Sequence, residues 1–320
     1  MEDPSTETSE LQEYVYALAA DQEFAGSGVC FAAHSCGLSR SEDGGLTWCA
    51  AFDSLGLETP IPATSVALSP RFGSDRLVLA GVPGGIARSE DGGASWSIVA
   101  LPAPPPFISA LALSPAFERD GAAFAATMED GVFVSDDRGR RWTAWNIGLL
   151  DHSVLCLAVS PAFERDRTIF AGTESGIFYS TNGGHYWRET AFPMDCAPVL
   201  CLAISPAFAQ DGVIFAGAAH GLFVSADGGQ SWQALPAVGE GGAVNALLLA
   251  PEYPERPHLL ALLDDTPLIS RDGGWSWAAA VEGGAADVSA VAAPLGLDPG
   301  HPLLAGRLDG RVLRYALAAR

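Results

Sequence analysis

One eight-residue string recurs six times along the chain and constrains its fold more than any other feature. It reads SEDGGLTW (Ser41–Trp48), SEDGGASW (Ser89–Trp96), SDDRGRRW (Ser135–Trp142), STNGGHYW (Ser180–Trp187), SADGGQSW (Ser225–Trp232) and SRDGGWSW (Ser270–Trp277). The third residues are Asp43, Asp91, Asp137, Asn182, Asp227 and Asp272, and successive copies lie 48, 46, 45, 45 and 45 positions apart. Six of the eight tryptophans (Trp48, Trp96, Trp142, Trp187, Trp232 and Trp277) fill the last position, which chance placement does not produce. A fixed period of this size marks a repeat architecture, in which each unit packs only on its neighbours. The 320 residues therefore need not divide into two conventional domains.

Each period carries four short apolar segments separated by turn residues. The fourth shows this best, with VLCLAVS, PAFERD, RTIFAGT, GIFYS, the eight-residue string and WRET in succession. That is the signature of a four-stranded propeller blade, whose strands we call a to d. The a–b turn carries SPAFERD (Ser114–Asp120 and Ser160–Asp166) or its variants SPRFGSD and SPAFAQD, and the c–d turn carries the string. Within the string, Asp-Gly-Gly suits a tight hairpin, because glycine tolerates positive φ. The short Asp or Asn side chain accepts hydrogen bonds from nearby backbone N–H groups, and Trp plugs the space between blades. Asn182 keeps the acceptor oxygen. Arg138 replaces the first glycine in blade three, and a different turn is expected there.

Aligned on the a–b turn, one strand-a position is always small: Ala17, Ser65, Ala110, Cys156, Cys201, Ala246 and Ser289. The next is larger in all but the last, from Leu18 and Val66 through Leu247 to Ala290. This alternation suits blades crowded round an axis and covered on both faces, and it makes Cys156 and Cys201 core residues. The pattern supplies seven a, b and c strands but six d strands. The expected fold is an all-β, single seven-bladed β-propeller of four-stranded blades over residues 13–320. Its last blade is either three-stranded or completed by residues 1–12, an acidic N-terminal tail and possible closing strand.

Charge excludes some functions. There are 38 acidic residues against 17 basic ones, all arginine, for a net charge of -21. Such a chain repels a phosphate backbone, so no nucleic-acid partner is expected. The acidic start lacks a secretory pattern, and no apolar run reaches the ~18 residues of a membrane span. These features lead to the expectation of a cytoplasmic protein with reduced cysteines. The six cysteines show no zinc spacing, and neither metal nor cofactor is expected.

The string S-x-D-x-G-x-x-W at this period resembles the Asp-box, or bacterial-neuraminidase-repeat, propellers, and the resemblance covers nearly the whole chain. Among them, the regular single ring looks like the photosystem II assembly/stability-factor-like proteins and their uncharacterised bacterial relatives. Other members of the group are sialidases, xyloglucanase-type glycosidases and sortilin-type receptors. The resemblance implies structural boxes lying away from the substrate face, so no box residue is nominated as catalytic. It also implies a non-catalytic protein-binding or assembly scaffold, with a glycoside hydrolase acting at the b–c loops as the alternative. Fold alone does not decide between them. Sialidases also need an arginine triad and usually carry an Arg-Ile-Pro motif; this sequence has no Arg-Ile-Pro, and its arginines lie mostly beside boxes or in a–b turns, on the opposite face.

Two groups of residues are candidates for binding. Propeller topology puts the b–c turns and d–a connectors opposite the boxes, where His34, Glu129, Asp130, Glu174, His220, Asp264, Asp265 and Asp309 would gather. They could take a cation, a metal or a basic peptide, or supply a glycosidase's carboxylate pair, which needs a separation of roughly 5–9.5 Å. The plainer account is that turns are polar and this chain is acidic throughout. On the box side, Arg119, Arg138, Arg140, Arg141, Arg165 and Arg167 crowd blades three and four and could dock a partner's carboxylates. Interleaved acids offer a simpler role in surface ion pairing. Trp145, Phe192 and Phe107 on the d–a connectors could form an aromatic contact surface.

Overall fold

The computed structural model describes residues 13–102, 106–236 and 242–319. Seven antiparallel sheets follow one another along the chain, six with four strands and the last with three. Blade one runs through Val15–Ala20, Cys30–His34, Gly37–Ser41 and Cys49–Ala50 as strands a to d. Blade seven comprises Val288–Ala292, Pro302–Arg307 and Val312–Ala316. The proposed closing strand falls within residues 1–12, outside the described residues. No described strand completes blade seven, so the outer edge of Val312–Ala316 is unpaired among them. Among the described residues no helix is long and apolar enough to cross a membrane.

Short β-branched and aromatic strands with period-2 alternation bury both faces here, since each sheet is sandwiched between two others. Strand b is buried from end to end in most blades, as in Ala123–Thr127 and Ile169–Thr173. The interblade cores mix residues of adjacent sheets. Phe31 of blade one, for example, packs with Phe72, Val78 and Trp96 of blade two.

A notch in strand b sets the spacing between blades. A Cβ on Gly172 would come within 2.8 Å of Cγ1 of Val199, the first residue of the next blade. Gly217 faces Val244 and Gly81 faces Ile108 in the same way, at 2.7 Å each. Gly306 of blade seven faces Val15 of blade one at 2.5 Å. Hydrogen bonds follow the same path. Cys201 Sγ donates to Val244 O at 3.2 Å, Thr64 Oγ1 to Ile108 O at 2.6 Å, and Ser289 Oγ to Val15 O at 2.7 Å. The ring thus closes between its first and last blades through the contacts used elsewhere. Burial pushes the Cys156 thiol up to about 12, as expected of a packing residue and not a nucleophile.

The notch gives a direct test. Gly172→Val forces a branched side chain against Val199 and Cys156 and should destabilise the protein by about 1–3 kcal/mol. At Gly26 an added Cβ meets nothing within 4 Å, so Gly26→Ala should be neutral or stabilise by up to ~1 kcal/mol. Urea unfolding of both variants checks the contrast.

Candidate functional site

The six boxes are built alike. Ser41 Oγ accepts a hydrogen bond from Gly45 N at 2.9 Å and donates to Asp43 Oδ1 at 2.8 Å. Asp43 Oδ1 also accepts from Leu46 N and Thr47 N, and its Oδ2 takes the Thr47 hydroxyl. Ser95, Ser231 and Ser276 hydroxyls fill that last role for Asp91, Asp227 and Asp272, and the Arg141 guanidinium does so for Asp137. In blade four the corresponding residue is Tyr186, which brings its N–H to Asn182 Oδ1 at 3.0 Å. An amide there has no oxygen awaiting a hydroxyl, which accounts for the one Asp-to-Asn change. The box acids are spent on their own hairpins.

These hairpins seat on the a–b turns. Gly92 N donates to Arg76 O, Gly183 N to Arg167 O and Gly228 N to Gly212 O. The b–c turns instead meet the chain entering strand a, as in Glu174 N to Ser153 O and Asp264 N to Ala243 O. The boxes and the b–c turns thus occupy opposite ends of the blades. The expectation of a different turn in blade three was wrong. Arg138 takes φ +64°, close to the glycines it replaces, and its N–H makes the usual bond to Gly121 O at 3.0 Å. An ion pair to Asp75 and a position over the Phe117 ring hold the side chain, offsetting the cost of a left-handed non-glycine residue.

Four box tryptophans, Trp48, Trp96, Trp142 and Trp277, donate Nε1–H to the second glycine carbonyl of their own box. Trp187 instead reaches Trp145 O at 2.8 Å, because the blade-three connector folds over it. Trp232 Nε1 has no hydrogen-bond partner among the described residues, and the ring packs edge-on to Phe192. The expected aromatic surface does not form. Phe192 is buried against Phe223 and Trp232, Trp145 stacks on His185, and only Phe107 is well exposed. Burial in the blade core outweighs a connector's usual exposure.

At the b–c end the proposed residues are largely occupied locally. His34 has Cys36 Sγ at 3.0 Å and Ser39 Oγ at 2.8 Å from its two ring nitrogens, and burial lowers its pKa. Asp264 Oδ1 accepts Ala243 N, Asp265 Oδ2 accepts Asp287 N, and Asp309 lies 3.5 Å from Arg307. Glu129, Glu174 and His220 are exposed on three different blades and Asp130 is half-buried. Among the described residues no three His, Cys, Asp or Glu side chains are grouped so as to hold a metal.

The box-side arginines form a relay between blades. Arg71 of blade two pairs with Glu118 at 3.2 Å, and Arg119 of blade three with Glu164 at 2.7 Å. Arg140 reaches Glu90 of blade two at 2.7 Å, and Arg141 holds its own Asp137 at 2.8 Å. Arg167 lies over the Phe163 ring. Arg165 comes next in the relay, but blade five offers Ala209 and Gln210 where an acid would stand. Arg165 is exposed and makes no ion pair among the described residues.

Sequence reading missed the Ser…Asp bond inside each SPxFxxD turn. Ser69, Ser114, Ser160 and Ser205 donate to the aspartate six residues on at 2.6–2.7 Å. The six-residue spacing of Ser and Asp recurs in the sequence, but only the folded turn shows that the two side chains meet.

The chain is a seven-bladed β-propeller whose c–d hairpins are Asp-boxes. Solved structures similar to it include YCF48, a photosystem II assembly factor, from Cyanidioschyzon merolae, with TM-score 0.67, 15% identity and 95% of each chain covered. Another is YCF48 bound to D1 peptide, with TM-score 0.67, 18% identity and coverage of 95% and 93%. The GH74 enzyme of Niastella koreensis has TM-score 0.72 and 14% identity, and the match covers 94% of this chain and 52% of that one. At these identities the likeness shows the fold alone, a propeller scaffold. No protein-family model matches the chain, and no curated protein matches it.

The box carboxylates make stability pH-dependent. Hydrogen bonds donated by Ser231, from its hydroxyl first and then from its N–H, hold Asp227 at about 2, below its ordinary 3.8. Asp272 behaves likewise through Ser276. At Asp91 partial burial opposes the shift, but bonds from Ser95, Ser89 and Ala94 outweigh it and leave about 2. A lowered folded-state pKa stabilises above the unfolded value and is lost as pH falls through the folded one. Melting temperature should therefore drop between pH 3.8 and about 2, and the slope should flatten in a D91N/D227N/D272N variant. Asp227→Asn should cost less stability at neutral pH than Asp227→Ala, since the amide keeps the acceptor, as Asn182 does.

Proposed function

We propose that the chain is a non-catalytic scaffold that docks a peptide segment of a protein partner, in the manner of an assembly factor. The observation that carries this reading is the row of box-side arginines, in which Arg71 and Arg119 pair across blades with Glu118 and Glu164 while Arg165 stands exposed beside them. A YCF48 structure with a bound D1 peptide supports a peptide ligand for a ring of this kind. The occupied box acids support a structural use of the hairpins. The arginine relay on blades two to four supports a docking edge for carboxylates, at which Arg165 is exposed and makes no ion pair among the described residues.

A fluorescently labelled D1 peptide tests the reading by anisotropy. Saturable binding that weakens with added salt is expected, and Arg165→Glu should weaken it about tenfold. Arg141→Glu, which removes the internal partner of Asp137, should mainly lower the melting temperature. Absence of saturable binding, or release of sugar from xyloglucan by the purified chain, would overturn the scaffold assignment.

A further inference from the structure

Blade one reverses the chemistry of its a–b turn. Blades two to five begin this turn with serine and end it six residues later with aspartate. Serine Oγ accepts the N–H two residues on, as from Arg71 at 3.1 Å, and donates to aspartate Oδ2. Aspartate Oδ1 takes another N–H, as from Leu77 at 3.1 Å. Blade one has Asp21 in the serine position and Ser27 in the aspartate position. The backbone bonds survive the exchange, since Asp21 Oδ1 accepts from Glu23 N at 3.2 Å and Ser27 Oγ from Val29 N at 3.3 Å. The bond between the two side chains does not.

Asp21 Oδ2 is left buried without a hydrogen-bond partner among the described residues, on a residue only 3% exposed. An unpartnered buried carboxylate oxygen is costly, and the four sister turns show how easily this repeat avoids it. Asp21 borders a cleft of 570 Å³ between the a–b turns of blades one and two, together with Glu23, Glu42, Ser27, Gly73 and Arg76. Three acidic residues and one arginine thus line it. Glu42 is paired with Arg40 outside the cleft, while Asp21 and Glu23 have no ion pair among the described residues.

We propose that this cleft is a binding site for a cationic side chain, an arginine or lysine presented by a peptide, with Asp21 as its buried anchor and Glu23 at its rim. A metal ion fits less well, because it needs ligands converging within about 2.6 Å, whereas no acidic trio among the described residues is so grouped. A cleft of this size suits an extended side chain whose N–H groups bond carboxylates. The site uses a different pair of blades from the Arg165 edge and does not rest on the D1-peptide reading.

The test uses three probes against the whole chain: acetyl-Gly-Arg-Gly-amide, its citrulline analogue and calcium chloride. Binding is followed by NMR line positions and by melting temperature. The arginine peptide should bind the native protein and the neutral citrulline peptide about tenfold more weakly. The exchange D21S/S27D restores the sister-turn arrangement and should weaken arginine-peptide binding about tenfold without lowering the melting temperature. Asp21→Asn provides the same binding readout should the double variant not fold. No binding to the native protein, equal binding to the variants, or stabilisation by calcium without peptide binding overturns the proposal.

Discussion

Everything in this ring depends on how closely one sheet can approach the next. Where strand b carries glycine, the first residue of the following blade sits where a Cβ would be. Close packing of this kind leaves no slack, because interiors are as dense as molecular crystals. The same approach brings Thr64, Cys201 and Ser289 within hydrogen-bonding distance of the next blade's backbone. Packing and hydrogen bonding thus reinforce each other round the circle, including the join of Gly306 to Val15.

The boxes stand on this arrangement and do not create it. Their carboxylates collect two N–H groups and usually a hydroxyl, so each hairpin is largely self-contained. Its role in the ring is to set a tryptophan between blades and to seat the c–d turn on the a–b turn. Because the acids are consumed locally, a propeller of this kind has its free chemistry elsewhere, in places where the repeat is broken. Arg165 and Asp21 are both such places. The acid that Arg119 meets in the next blade has no counterpart for Arg165, and the side-chain bond of the sister turns is not made by Asp21.

Much of the fold was legible from spacing. The six tryptophans set the period, the small strand-a residues marked the crowded face, and the count of strands supplied only three for the last blade unless residues 1–12 complete it. The misjudgements share one cause. Arg138 was read from intrinsic preference as a residue that would alter its turn, yet Asp75 and Phe117 hold it in the glycine conformation. Phe192 was read as a surface aromatic because it lies in a connector, yet it is buried against Phe223. Neighbours distant in sequence overrode the local rule in both cases.

The amino-acid order by itself determined the number of blades, the class of fold and the internal chemistry of each box, because these depend on interactions within a few residues repeated at a fixed interval. Tertiary structure decided which charges are free. Arg119 and Arg140 find acids 45 and 50 residues away, while Arg165 does not, and Asp21 is orphaned by an exchange that only the superposed turns expose. Pairing of charges depends on which side chains the closed ring brings together, and one-dimensional spacing holds that information only once the blades are laid side by side.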